Sequence, residues 1–160
     1  INEGNNVSNR FAILTGGNVG IGTTGPGYPL DVVGSARVAQ GAYGNGMLFG
    51  TSTESITCSG ATSDSSASFL PANCYVFFVS CRVTTAITGA TTFKCGWTVD
   101  DTMWGTGLAI AAGSTNSTTN PTMWLNSTAT VVRLTATGSN FTGGVVRVTV
   151  HYMKPTPMTS

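Results

Sequence analysis

The stretch Cys74-Tyr75-Val76-Phe77-Phe78-Val79-Ser80-Cys81-Arg82-Val83-Thr84 decides the fold. Read at a period of two, it places Tyr75, Phe77, Val79, Cys81 and Val83 on one face of an extended strand. The pattern returns over residues 130–137 and 144–153, where Val146, Val148, Val150 and Tyr152 oppose Val145, Arg147, Thr149 and His151. Between these runs lie clusters suited to chain reversal, such as Thr88-Gly89-Ala90, Gly113-Ser114-Thr115-Asn116 and Gly138-Ser139-Asn140. From Thr51 onward the spacing predicts about seven or eight strands without helices, an all-β sandwich for which a jelly roll ranks ahead of an immunoglobulin-like arrangement.

Composition agrees. Charged residues make up 8% of the 160 positions, about a third of the usual share. Long solvated helices normally need Glu, Lys, Arg or Gln, whereas Thr, Val and Gly suit strands and tight turns. Five Arg and two Lys lie singly along the chain, leaving a formal net charge of +1 and no basic stripe for phosphates. Nucleic acid is therefore not expected as a partner. No apolar run reaches the roughly 18 residues of a membrane-spanning helix, and membrane insertion is not expected. The start at Ile1, without an initiator Met, reads as a piece of something longer.

Residues 1–50 differ from residues 51–160. The first part breaks every few residues at Gly, Asn or Pro, and its runs Phe11 to Leu14, Val19 to Ile21, Leu30 to Val33 and Ala36 to Ala39 are too short to close a core alone. It is read as a glycine-rich shaft segment whose missing neighbours are identical chains in a homotrimer. The remainder is read as a terminal β-sandwich domain.

Few catalytic constellations are available. Gly20-Ile21-Gly22-Thr23-Thr24-Gly25 matches a dinucleotide fingerprint, but Pro26, Gly27 and Pro29 follow where a helix must open. Its glycines are read as serving tight turns or close packing. A hydrolase triad would have to use the single histidine, His151, which lies mid-strand, and no G-x-S-x-G elbow accompanies it. Asp100-Asp101 is the one close carboxylate pair, more simply a solvated turn than a glycosidase dyad. Cys58, Cys74, Cys81 and Cys95 show no C-x-x-C spacing, so no metal site is expected; in apolar strand-like runs they read as small buried hydrophobes. A hairpin turning near Thr88 would place Cys81 opposite Cys95. The sequons at Asn6, Asn116, Asn126 and Asn140 are chance matches in a chain so rich in Asn, Ser and Thr.

The stretch Gly17-Asn18-Val19-Gly20-Ile21-Gly22-Thr23-Thr24-Gly25-Pro26, followed by Leu30-Asp31-Val32-Val33-Gly34, resembles a short repeat in the shafts of bacteriophage tail fibres and tailspikes. It covers about one tenth of the chain. More broadly, Arg82 to Thr91, Ala112 to Asn116, Arg133 to Ala136 and Asn140 to Gly144 look like a C-terminal domain of phage fibres, of a type that also ends the head spikes of gene transfer agents. The resemblance implies a non-enzymatic, cofactor-free β domain at the tip of an oligomeric virion fibre. It would be assembled with other tail proteins in the bacterial cytoplasm and would attach to a host-surface polysaccharide. Cytoplasmic assembly in turn implies four free thiols. The sequence departs from that picture around Trp97 and Trp124, and ends without a long helical chaperone.

All three tryptophans fall in or near that departure. Indole faces pack on the apolar face of a sugar ring, while carboxylates and amides bond its hydroxyls. Trp97, Asp100, Asp101, Trp104, Trp124 and Asn126 are therefore the expected receptor-binding residues, with Trp104 and Trp124 also suited to the core because each adjoins an apolar run.

Overall fold

The computed structural model describes residues 11–34, 36–39, 46–117 and 123–156. These form strands and no helix: β1 (Phe11–Ile13), β2 (Val19–Ile21), β3 (Leu30–Val32), β4 (Ala36–Ala39), β5 (Gly46–Thr57), β6 (Thr62–Asp64), β7 (Cys74–Thr88), β8 (Thr92–Gly96), β9 (Gly105–Leu108), β10 (Thr115–Ser117), β11 (Trp124–Asn126), β12 (Arg133–Thr137) and β13 (Gly143–Thr156). Nine strands, β5 to β13, occupy the part expected to hold seven or eight. The surplus comes from three-residue elements such as β6 and β10, too short to show a period.

The strands make three sheets. A six-stranded sheet runs β10-β7-β13-β5-β4, with β11 also on β7, and a four-stranded sheet runs β6-β12-β8-β9. All pairings in these two sheets are antiparallel. The small sheet β1-β2-β3 combines an antiparallel and a parallel pair. Ala36–Ala39 leaves that group and pairs with β5 in the large sheet.

The larger sheets pack as a sandwich. Val79, Cys81, Val83, Val146, Val148 and Val150 from one meet Phe93, Cys95 and Leu134 from the other in a single buried cluster. Each such valine, leucine or phenylalanine contributes about 1.5–3 kcal/mol when fully buried. The alternation over β13 falls as the sequence predicts, with Val146, Val148 and Val150 buried and Arg147 exposed.

On β7 the predicted face is half right. Val79, Cys81 and Val83 are buried, but so are Cys74 and Val76, while Tyr75 and Phe77 are only half-buried. The cause is a bulge: β13 pairs His151 with Phe78 and then Tyr152 with Val76, so Phe77 is an extra residue. One inserted residue moves every side chain beyond it to the other face.

The hairpin expected near Thr88 is absent. β7 pairs with β13 whereas β8 pairs with β12, so residues 89–91 cross from one sheet to the other. Cys81 and Cys95 still meet, across the sandwich and as free thiols.

In the glycine motif, no helix follows β2. A Cβ on Gly20 would lie 2.6 Å from the Thr23 carbonyl oxygen, and Gly22 has φ +76°, so both serve backbone geometry.

Candidate functional site

The connection from β8 to β9 builds one wall of the candidate site. β8 ends at Gly96, where any side chain would overlap the carbonyl of Asp100. The absent Cβ lets residues 97–100 fold back tightly, with the Trp97 amide donating to the Asp100 carbonyl at 2.9 Å. Asp100 Oδ1 then accepts from the Thr102 hydroxyl at 2.7 Å and the Thr102 amide at 3.0 Å. These bonds, the hydroxyl's first, hold the Asp100 carboxyl below its ordinary range. Asp101 turns to Lys94, 3.3 Å away. The adjacent carboxylates thus serve different partners, one holding the turn and the other tying it to β8.

The other wall is β11, on an edge of the large sheet. Trp124 reaches both indoles of the β8–β9 connection: its ring centre lies 4.8 Å from that of Trp97 at 47°, and 6.0 Å from that of Trp104 at 67°. The three do different work. Trp104 is 2% exposed and belongs to the core, whereas Trp97 and Trp124 are half-buried. Asn126 is also 2% exposed, its amide donating to the Leu70 and Pro71 carbonyls at 3.3 and 2.6 Å. Those bonds join β11 to the 70–71 segment.

Trp97, Trp124 and residues 125–130 enclose an open cleft of about 320 Å³. The structure therefore gathers Trp97, Trp124 and Asn126 around one space, sets Trp104 behind them, and places Asp100 and Asp101 in the turn beyond Trp97. Sequence reasoning missed the hydroxyls of Ser127, Thr128 and Thr130 in the lining. The polar run Ser127-Thr128-Ala129-Thr130 directly after Asn126 was the available signal. Such a space offers two indole faces and several hydroxyls, the chemistry that accepts a sugar ring. Among the described residues, no three His, Cys, Asp or Glu side chains cluster as a metal site.

The fold has a counterpart in a virus particle. A chain of the cyanophage Pam1 capsid asymmetric unit is similar to this one at 20% identity, over 75% of this chain and 94% of that chain, with a TM-score of 0.50. The likeness is one of fold. No family model matches the sequence, and no curated protein matches it significantly.

Proposed function

We propose that this protein is a bacteriophage virion component that attaches the particle to a host-surface polysaccharide, as the non-enzymatic tip of a trimeric tail fibre. The observation that carries the reading is the Trp97–Trp124 pair lining an open cleft together with Ser127, Thr128 and Thr130. Two tilted indoles beside hydroxyl-bearing residues suit a saccharide more than a charged or purely apolar ligand. The phage capsid chain of similar fold supports a place in a virion.

The strand order supports a jelly roll. Successive strands β5, β6, β7 and β8 alternate between the sheets, and the orders β10-β7-β13-β5 and β6-β12-β8-β9 interleave the two ends of the chain. The small sheet β1-β2-β3 supports oligomerisation, because Phe11, Ile13, Ile21, Leu30 and Val33 are all exposed on it or beside it. Identical chains are the natural cover for such a surface, completing a shaft and tail assembly made in the bacterial cytoplasm.

The test is adsorption of the full chain to whole bacterial cells, alongside a glycan array. Binding without release of oligosaccharide supports the reading. Released oligosaccharide would make the protein a depolymerase. Failure to bind any cell or glycan would favour a purely structural virion part, the second reading, which the capsid location of the similar chain favours.

A further inference from the structure

On the outward face of the large sheet, Arg82 of β7 stands directly opposite Arg147 of β13, and both are exposed. Residues so paired have Cα atoms about 4.5–5.5 Å apart, and like charges there destabilise a sheet. No carboxylate among the described residues relieves them. Asp64 holds Arg133 and Asp101 holds Lys94. Glu54 accepts from Ser66, Asp100 from Thr102, and Asp31 from the Gly27 amide. The fold keeps a pair of guanidinium groups for which those residues supply no counter-charge.

The surroundings of the pair are ordered in rows. Ser55 flanks Arg147 and Thr115 flanks Arg82 in the same row. The next outward row holds Thr53, Thr149 and Ser80, with the two threonine hydroxyls 2.9 Å apart. The row after that holds Thr51, His151 and Phe78, the last two rings stacked at 4.0 Å. From arginines to stacked rings is four residues along either strand, roughly 13–14 Å. One sheet face thus presents paired cations, then hydroxyls, then an aromatic surface, with Phe78 37% exposed.

We infer that this face binds an acidic polysaccharide, with Arg82 and Arg147 taking its carboxylates, Thr53, Ser80 and Thr149 meeting sugar hydroxyls, and the Phe78–His151 stack lying under a ring. Guanidinium forks match carboxylate geometry, and two on neighbouring strands reach one anionic group or two successive ones. A second copy of the chain is a poorer occupant. Two such faces pressed together would bring four guanidinium groups together without a carboxylate, and burying unpaired charge is costly. The inference rests on the glycan-binding reading above but uses residues separate from the Trp97–Trp124 cleft.

The experiment is calorimetric titration of the full chain with oligogalacturonate and with neutral maltooligosaccharide, at low and high salt, comparing wild type, Arg82→Gln/Arg147→Gln and Trp97→Ala. The double variant is expected to lose at least tenfold in affinity for oligogalacturonate and to keep or raise its melting temperature, since a like-charge pair is removed. Trp97→Ala should retain that binding, and added salt should weaken it in the wild type. If the double variant fails to fold, Arg82→Gln and Arg147→Gln are each expected to show a severalfold loss. Unchanged affinity in folded variants, competition by inorganic phosphate as strong as by glucuronate, or a changed oligomeric state would overturn the inference. Neutral ligand bound and lost with Trp97→Ala, while oligogalacturonate does not bind, would leave the cleft reading standing and remove this one. Binding of neither ligand would remove this inference, while the cell and array assay judges the cleft separately.

Discussion

The Sγ atoms of Cys81 and Cys95 lie 3.4 Å apart, one on each sheet of the sandwich, with both side chains buried. The hydrogen bond with Cys81, then burial, holds the Cys95 thiol well above its ordinary range, and burial lifts Cys58 to about 11 and Cys74 upward. Thiolates, not thiols, react. All four thiols are buried from reagent, so alkylation of the native protein at neutral pH is expected to label none of them, and alkylation in denaturant all of them. A Cys81–Cys95 linked peptide in non-reducing mass spectrometry of freshly purified protein would contradict the free-thiol state.

Asp100 and Asp101 brace the turn that carries Trp97, yet both stand near solvent. Replacing both by Ala removes the half-exposed Lys94–Asp101 pair, a loss of at most about 1 kcal/mol, together with the solvent-exposed bonds from Thr102 to Asp100. Thermal unfolding should shift little, while adsorption to host cells falls. Trp97→Ala should reduce adsorption further, since it removes one aromatic wall of the cleft. Undiminished adsorption by both folded variants would exclude this loop as the receptor contact.

Gly96→Ala tests the tight return of the same loop. Its Cβ would collide with the backbone of Asp100 and Asp101, so the turn must open. Overpacking of this kind costs about 1–3 kcal/mol, which urea denaturation would register. The displaced Trp97 should also change its indole fluorescence, and an unaltered midpoint and spectrum would show that the loop yields freely.

The exposed Phe11, Ile13, Ile21, Leu30 and Val33 call for a covering partner, and the proposed fibre assembly makes that partner two further copies of the chain. Light scattering at micromolar concentration should give three times the chain mass. Charged replacements at Ile13 and Leu30 should release monomers whose sandwich remains folded by circular dichroism. A wild-type monomer would overturn the prediction.

His151 predicts a pH dependence. Burial holds its imidazole below the ordinary value of 6.5. Its neighbours in the same row, Thr51 and Phe78, carry no charge at any working pH. Because the folded value is the lower one, the unfolded chain takes up the proton first. The stability this group contributes is complete above 6.5 and is lost as pH falls through 6.5 toward the folded value. The melting temperature should therefore drop between about pH 7.5 and pH 5, and His151→Gln should flatten that part of the curve. Identical profiles for the two proteins would show that His151 is not the titrating group.

Local residue pattern determined that this chain is all-β. The period of two in Val146, Val148 and Val150, the scarcity of helix-forming charged residues and the Gly-Asn-Ser turns are properties of neighbouring positions, and neighbours are what a sequence displays directly. It also singled out Trp97 and Trp124, because all three tryptophans fall in one stretch beside carboxylates and an amide. What the tertiary structure alone decided depends on distant partners. The bulge at Phe77 exists because β13 offers one residue fewer than β7, a mismatch invisible in either strand read alone. Thr88 leads into a crossing between sheets because β7 takes as its partner β13, more than fifty residues away in sequence, while β8 takes β12. The Arg82–Arg147 pair, Asn126's bonds to Leu70 and Pro71, and the approach of Trp124 to Trp97 have the same origin. Register between strands is set by which faces bury together, and that is a property of the assembled sheets rather than of any one segment.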